Sequence, residues 1–228
     1  MKILGIDSSA KSASAAVTED KKIITQFYIN TGLTHSHTLM PMVEYALKCA
    51  DISLDEIDLF AVNKGPGSFT GIRIGVAAVK GLADIKNKPC IGVSTLESMA
   101  YNLIDNDCIA CCVMDARCSQ VYSALFDIES GKITRITDDE AISIDDLGER
   151  ISKYNKKIIL VGDGAEICFD ALSSGIKNIS RAGEYTEFQN ACGTCFYAFD
   201  HQNEQIKSSE LVPEYLRLPQ AQRNLKKQ

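Results

Sequence analysis

Asn63-Lys-Gly-Pro-Gly-Ser-Phe-Thr-Gly-Ile-Arg-Ile-Gly75 is a glycine-rich turn between an apolar run, Asp58–Val62, and a segment with helical spacing, Thr70–Ile85. Gly65 and Gly67 permit positive φ and close backbone approach, while Pro66 stiffens the turn. Ser68 or Thr70 can cap the helix that follows. A phosphate at that helix N-terminus is physically reasonable. However, no Gly-Lys-Ser/Thr follows at P-loop spacing, and the glycines do not form G-x-G-x-x-G. Read bare, the stretch is a strand-to-helix turn, structural before it is ligand-binding. The following helix carries Gly71, Gly75 and Ala78 on one face, with Ala77 and Gly81 beside it. Each helical glycine costs ~1 kcal/mol against alanine. That face is therefore expected to pack tightly, either on the chain's own first helix or, together with that helix, on a second protein.

Working outward, the first half opens with three strand-like runs, Lys2–Ile6, Ser12–Val17 and Lys22–Ile29, joined by short polar turns. This spacing reads as an antiparallel meander. From Leu39, apolar residues at Leu39, Met42, Val43, Ala46, Leu47 and Ala50 mark one face of a helix, with Pro41 expected in its first turn or at a kink. A short strand at Cys90–Val93 follows the glycine-rich helix, and Ser94 with Glu97 forms a capping box for a helix through Leu103. The second half partly repeats the order. Ile109–Met114, Gln120–Ile128 and Lys132–Ile136 read as strands, Asp145–Tyr154 as a helix, Lys157–Val161 as a strand and Ala165–Leu172 as a helix. Such repetition predicts an α/β protein built from two copies of one subdomain type, residues 1–105 and 106–228, with mixed sheets flanked by helices. The C-terminal segment is expected to pack back on the first subdomain, and the polar end, Leu225–Gln228, to fray.

The chain has 228 residues and a formal net charge of −6. An acidic chain does not grip phosphates unaided, although it can meet RNA alongside a more basic partner. No segment is long and apolar enough to cross a bilayer, and Met1–Ser9 turns polar too early for a signal peptide. The expected compartment is the cytoplasm. Nine cysteines include two C-x-x-C pairs, Cys108/Cys111 and Cys192/Cys195. The first pair lies in a buried-strand pattern and the second in a helical one, so core packing is favoured over zinc or disulfides.

Four segments together are similar to the TsaB family. They are the glycine-rich stretch itself, His35-Ser-His-Thr-Leu-Met-Pro41, Asp115-Ala-Arg-Cys-Ser-Gln-Val-Tyr122, and Pro213-Glu-Tyr-Leu-Arg217. They occur in order and span nearly the whole chain. The resemblance implies an acetate-kinase/Hsp70/actin-like (ASKHA) fold of two ribonuclease-H-like subdomains. It implies a non-catalytic protein required for threonylcarbamoylation of a tRNA adenosine next to the anticodon. It also implies a dimer with the catalytic homologue TsaD through the first two helices, about residues 35–50 and 70–85. The ATPase TsaE and tRNA are further implied partners, and the same face could pair with a second copy when the chain is alone. Leu39, Met42, Val43, Ala46, Gly71, Gly75 and Ala78 are the expected interface residues, and a bulky Gly75→Leu is expected to disrupt docking.

The catalytic relatives hold a metal through an H-x-x-x-H pair. Here His35 and His37 are two apart and diverge on a helix, so no metal site is expected. Members of the fold bind phosphate at a turn after the first strand and adenosine at a glycine motif in the second subdomain. Asp7, Ser8, Gly162 and Gly164 occupy those places as a vestigial nucleotide site, with no cofactor required and only weak ATP or ADP binding within the complex. Arg117 suits an ion pair, or a contact with a partner or RNA, better than a magnesium site. The alternative reading is an ATP-dependent ASKHA-type kinase or ATPase using Asp7, Ser8, Gly162 and Gly164. A peptidase lacks the metal and base it would need.

Overall fold

A computed structural model describes residues 1–217 of the chain. The polar end, with Arg223, Lys226 and Lys227, lies outside the described residues. The first half runs β1 (Lys2–Asp7), β2 (Ala13–Glu19), β3 (Lys22–Ile29), α1 (His35–Ala50), β4 (Leu59–Gly65), α2 (Phe69–Lys86), β5 (Cys90–Ser94) and α3 (Thr95–Ala100). The second runs β6 (Cys108–Asp115), β7 (Gln120–Glu129), β8 (Lys132–Arg135), β9 (Glu140–Ser143), α4 (Ile144–Ile151), β10 (Ile158–Val161), α5 (Ala165–Leu172), β11 (Ile179–Arg181) and α6 (Ala191–Asp200). The strand orders are β3-β2-β1-β4-β5 and β8-β7-β6-β10-β11, with β9 also on β7. In each sheet the first three strands pair antiparallel and the last three parallel. The repeat expected from the sequence is therefore present as two mixed sheets.

The central strands are apolar on both faces because helices cover both sides. In the first sheet Leu4, Ile6, Phe60 and Val62 face α1 and α2. Their neighbours Ile3, Leu59 and Ala61 face α6. In β6 the alternation divides the cysteines. Cys108 and Cys112 pack with α3 residues Leu96 and Met99, while Cys111 packs with α4 and α5. Cys108 and Cys111 therefore point to opposite faces of the sheet, as residues three apart in a strand must. Burial pushes the Cys108 thiol up to about 11 and Cys192 up to about 12. These are inert core groups, as the packing reading expected.

The halves exchange helices. α3, from the first half, packs on the second sheet, and α6, after the second sheet, packs on the first. The two helices cross where a Cβ on Gly193 would overlap the Ser98 carbonyl oxygen. A buried polar chain ties the crossing to β4: Asn63 Nδ2 donates to Ser98 Oγ at 2.9 Å, and Thr194 Oγ1 donates to Asn63 Oδ1 at 3.0 Å.

Some boundaries differ from expectation. α1 begins at His35, four residues before the first periodic apolar residue, so Pro41 lies inside the helix. Ser94 caps α3 through Glu97 N–H, but the Glu97 carboxylate pairs with Arg135 instead of returning to the cap. No helix among the described residues is long and apolar enough to cross a membrane.

Candidate functional site

The glycine-rich turn is filled by the chain's own backbone. Gly65 has φ +131° and Gly67 φ +152°. A Cβ on Gly65 would overlap the Glu214 carbonyl, and one on Gly67 the Ser9 carbonyl. Ser68 N–H donates to Ser9 O at 2.7 Å, and Ser68 Oγ caps α2 by accepting from Gly71 N. Thus the turn clamps the end of β1 on one side and the tail, residues 213–217, on the other. The structural reading of this turn holds.

The same close approach explains two of the helical glycines. A Cβ on Gly71 would overlap the Ser8 carbonyl, and one on Gly75 would lie 2.6 Å from Ser8 Oγ and 3.2 Å from a Val62 methyl. Ser8 Oγ in turn donates to Gly71 O at 2.9 Å. The small face of α2 therefore rests on the Asp7–Ser9 turn and β4. At Gly71 the same face also meets α1, where a Cβ would lie 3.3 Å from the His35 ring, and Gly75→Leu would damage the chain's own core before any docking. Leu39, Met42, Val43 and Ala46 are likewise buried under α1 against the first sheet. Their side chains offer no surface to a partner. Ala78 alone of the expected interface residues is partly exposed.

What α1 and α2 do present is a different set. Ile74, Ala77, Ala78, Gly81 and Ile85 recur at i, i+3, i+4, i+7 and i+11, one stripe of α2 that is exposed or half-buried. Ile85 is 77% exposed, and a Cβ on Gly81 would meet nothing within 4 Å. On α1, Met40 and Tyr45 are about half exposed. Among the described residues, no packing contact calls for a glycine at 81, and Ile85 is left largely in solvent. His35 and His37 diverge as expected: His35 Nε2 donates to the Ala10 carbonyl at 2.8 Å, while His37 is exposed.

The residues assigned to a vestigial nucleotide site do not share an opening. Asp7 and Ser8 are buried under α2. Asp7 Oδ1 accepts from Ser9 N and Ser9 Oγ, at 2.9 and 2.7 Å, and Oδ2 is buried with no partner. Burial pushes its carboxyl above the usual carboxylate range. Gly162, at φ +113°, and Gly164 lie against the backbone of Val113–Asp115, where a Cβ on Gly162 would overlap Val113 O. Their neighbours reach the cleft instead. Ser9, Ala10 and Lys11 from one half, and Asp115, Arg117 and Asp163 from the other, line a cavity of 430 Å³ with Phe69 and Tyr122. Burial also raises the Asp163 carboxyl.

The tail closes one rim of this cleft. Glu214 N–H donates to Lys64 O at 2.7 Å. The Tyr215 ring stacks on Phe69 at 4.6 Å between centroids, and Arg73 Nε donates to the Tyr215 hydroxyl at 2.7 Å. Arg217 Nη1 donates to Ala116 O at 2.9 Å, with its guanidinium over Tyr122. The tail therefore straps α2 to the β6–β7 turn. In the sequence it stood only as a motif match, because long-range stacking leaves no local periodicity.

This geometry has close relatives. A family model described as TsaD, tRNA N6-adenosine threonylcarbamoyltransferase, matches residues 30–224. The tRNA threonylcarbamoyladenosine biosynthesis protein TsaB of Bacillus subtilis is 29% identical over 97% of this chain and 96% of its own length. Its Escherichia coli counterpart is 32% identical over 72% of each. Among solved structures, YeaZ from Pseudomonas aeruginosa superposes with a TM-score of 0.78 at 22% identity, covering 94% of this chain and 99% of that one. The activator of 2-hydroxyisocaproyl-CoA dehydratase from Clostridium difficile, solved with ADPNP, shares the ASKHA-type fold at a TM-score of 0.50 and 12% identity, covering 90% and 96%. With matching motifs, matching fold and relatives across the whole length, the chain belongs to the TsaB family of tRNA threonylcarbamoyladenosine biosynthesis proteins.

Proposed function

We propose that this chain is the non-catalytic scaffold subunit of tRNA N6-threonylcarbamoyladenosine modification, acting in the cytoplasm. In this reading it pairs with TsaD through the exposed stripe of α2 and the adjoining outer face of α1. The joint surface then helps to recruit TsaE and tRNA. The carrying observation is the stripe itself: Gly81 in open space and Ile85 77% exposed. A helical glycine with no internal neighbour costs stability, and an apolar stripe in water invites a partner. A partner helix that needs close backbone approach accounts for both. The stripe is self-complementary enough in character to pair with a second copy when TsaD is absent.

The reading needs no cofactor of its own. Asp7 and Ser8, which a kinase or ATPase of this fold would turn toward phosphate, lie under α2, and Asp115 and Asp163 line the cleft. Carboxylates there oppose a polyphosphate, so any ATP or ADP is held weakly and within the complex. The test is co-purification with TsaD of the same organism, followed by tRNA modification with and without this chain. A stable complex, with modification depending on this chain and none from it alone, is expected. No complex, with ATP turnover by the isolated chain that Asp7→Ala abolishes, would favour the kinase-like alternative.

A further inference from the structure

The six arginines among the described residues of this acidic chain fall into two groups. Arg135, Arg150 and Arg181 each pair with carboxylates. Arg73, Arg117 and Arg217 make no ion pair among the described residues. These three are gathered at one place. Arg117 lines the cleft, Arg217 is bonded to its neighbour Ala116, and Arg73 is bonded to Tyr215, which stacks on the cleft residue Phe69. Exposed Lys11 lines the same cleft and is also without an ion pair among the described residues. Their partners are a phenol and a carbonyl, which orient the guanidinium groups without neutralising them. The β6–β7 turn holds Arg117 outward by an unusual backbone: Arg117, Cys118 and Ser119 have φ of 64°, 59° and 55° in succession.

We infer that this rim is a docking surface for single-stranded RNA, with phosphates on Lys11, Arg73, Arg117 and Arg217 and a base against Phe69. Uncompensated cations interleaved with stacked rings are what a single strand requires: charge along the backbone and a π-face for a base. Arginine serves both needs, since a guanidinium binds phosphate in a fork and also stacks on rings. Asp115 and Asp163, which line the same cleft, choose between RNA and a free nucleotide. They repel a polyphosphate but accept hydrogen bonds from a base edge. The phosphates therefore run along the rim and not into the cleft. The net charge of −6 keeps this surface weak by itself and makes it dependent on the partner's field. The inference rests on the scaffold reading and assigns to it the face that meets tRNA.

The experiment measures anisotropy of a fluorescent RNA hairpin with an unpaired loop, titrated with the complex of full-length chain and TsaD over a range of salt. Arg117→Asn, which tolerates the positive φ, and Arg73→Gln should each weaken binding several-fold and lower the salt slope by about one. Phe69→Leu should weaken it about tenfold with the slope unchanged. Arg150→Gln, in a paired arginine on β9's ion pair, should change neither. Unchanged affinity and slope in an Arg73→Gln/Arg117→Asn double variant whose TsaD complex is intact would overturn the inference and leave the scaffold standing. Displacement of the RNA by stoichiometric ADP would also overturn it, because that marks a mononucleotide site. Failure of the wild-type complex to form would remove the scaffold reading, and this inference with it.

Discussion

The two halves share one strand order, yet their crossover helices differ by a factor of two. The first half carries α1 and α2, 16 and 18 residues long, where the second carries α4 and α5, each of 8. The longer pair buries residues along most of its length, from Leu39 to Ala46 in α1 and from Gly71 to Ala83 in α2, and α2 still leaves an exposed stripe that ends at Ile85. The turns after the two first strands differ in the same sense. Asp7–Ser9 is tucked under α2 and sealed, while Asp115–Ser119 is open, with Arg117 exposed. The same strand order thus carries a first half with its turn sealed under a long helix and a second half that leaves its turn to the cleft.

The glycines of α2 allow the sharpest break of that comparison. Gly71→Val forces a side chain into the Ser8 carbonyl, so a loss of about 3 kcal/mol is expected in thermal or denaturant unfolding. Wild-type stability in that variant would mean that α2 does not rest on the first turn. Ile85→Asp lies at the far end of the exposed stripe. It should leave the unfolding curve in place and weaken TsaD binding by roughly 2 kcal/mol, about 30-fold; calorimetric titration gives the number, and an unfolded variant would show that Ile85 serves the core. Gly81→Ala should raise the stability of the isolated chain by about 1 kcal/mol, since the added methyl meets nothing and only helix propensity changes. Destabilisation there would place Gly81 in an internal contact.

The smallest effect concerns the sealed turn. Asp7 has its carboxyl raised by burial, so the folded chain holds the proton more tightly than the unfolded chain does. That contribution is present at acid pH and is lost as pH rises from the ordinary carboxylate value through the raised folded one. Asp7→Asn should therefore gain stability relative to the parent as pH goes from acid to neutral, measured by chemical unfolding at each pH. A constant difference across the range would show that Asp7 is not desolvated.

Much of the fold was legible because period and turn chemistry are local. The duplicated order, the Ser68 and Ser94 caps and the buried β6 strand all follow from residues within one element. The short strands β9 and β11, of 4 and 3 residues, carry too few positions to show alternation, so their pairing is set by neighbours distant in sequence. Four of the residues expected at an interface are core side chains for a related reason. Helical periodicity finds the face that the chain itself buries, so Leu39, Met42, Val43 and Ala46 were core by the same signal that picked them out. What periodicity leaves over is the proposed partner face: apolar or helix-breaking residues off the buried stripe, such as Met40, Gly81 and Ile85. The expected site residues lie beside the cleft: Ser8, Gly162 and Gly164 are buried, while Lys11 and Asp163 a few residues away are not, because the direction of a side chain at a strand end depends on the packing around it.

The proposed role of the exposed α2 stripe is close approach of a partner helix. Its most direct test is the affinity of TsaD for Gly81→Arg against the parent chain, measured alongside the unfolding midpoint. An unchanged or higher midpoint with TsaD binding lost is expected. Parental affinity in a folded Gly81→Arg chain would contradict it.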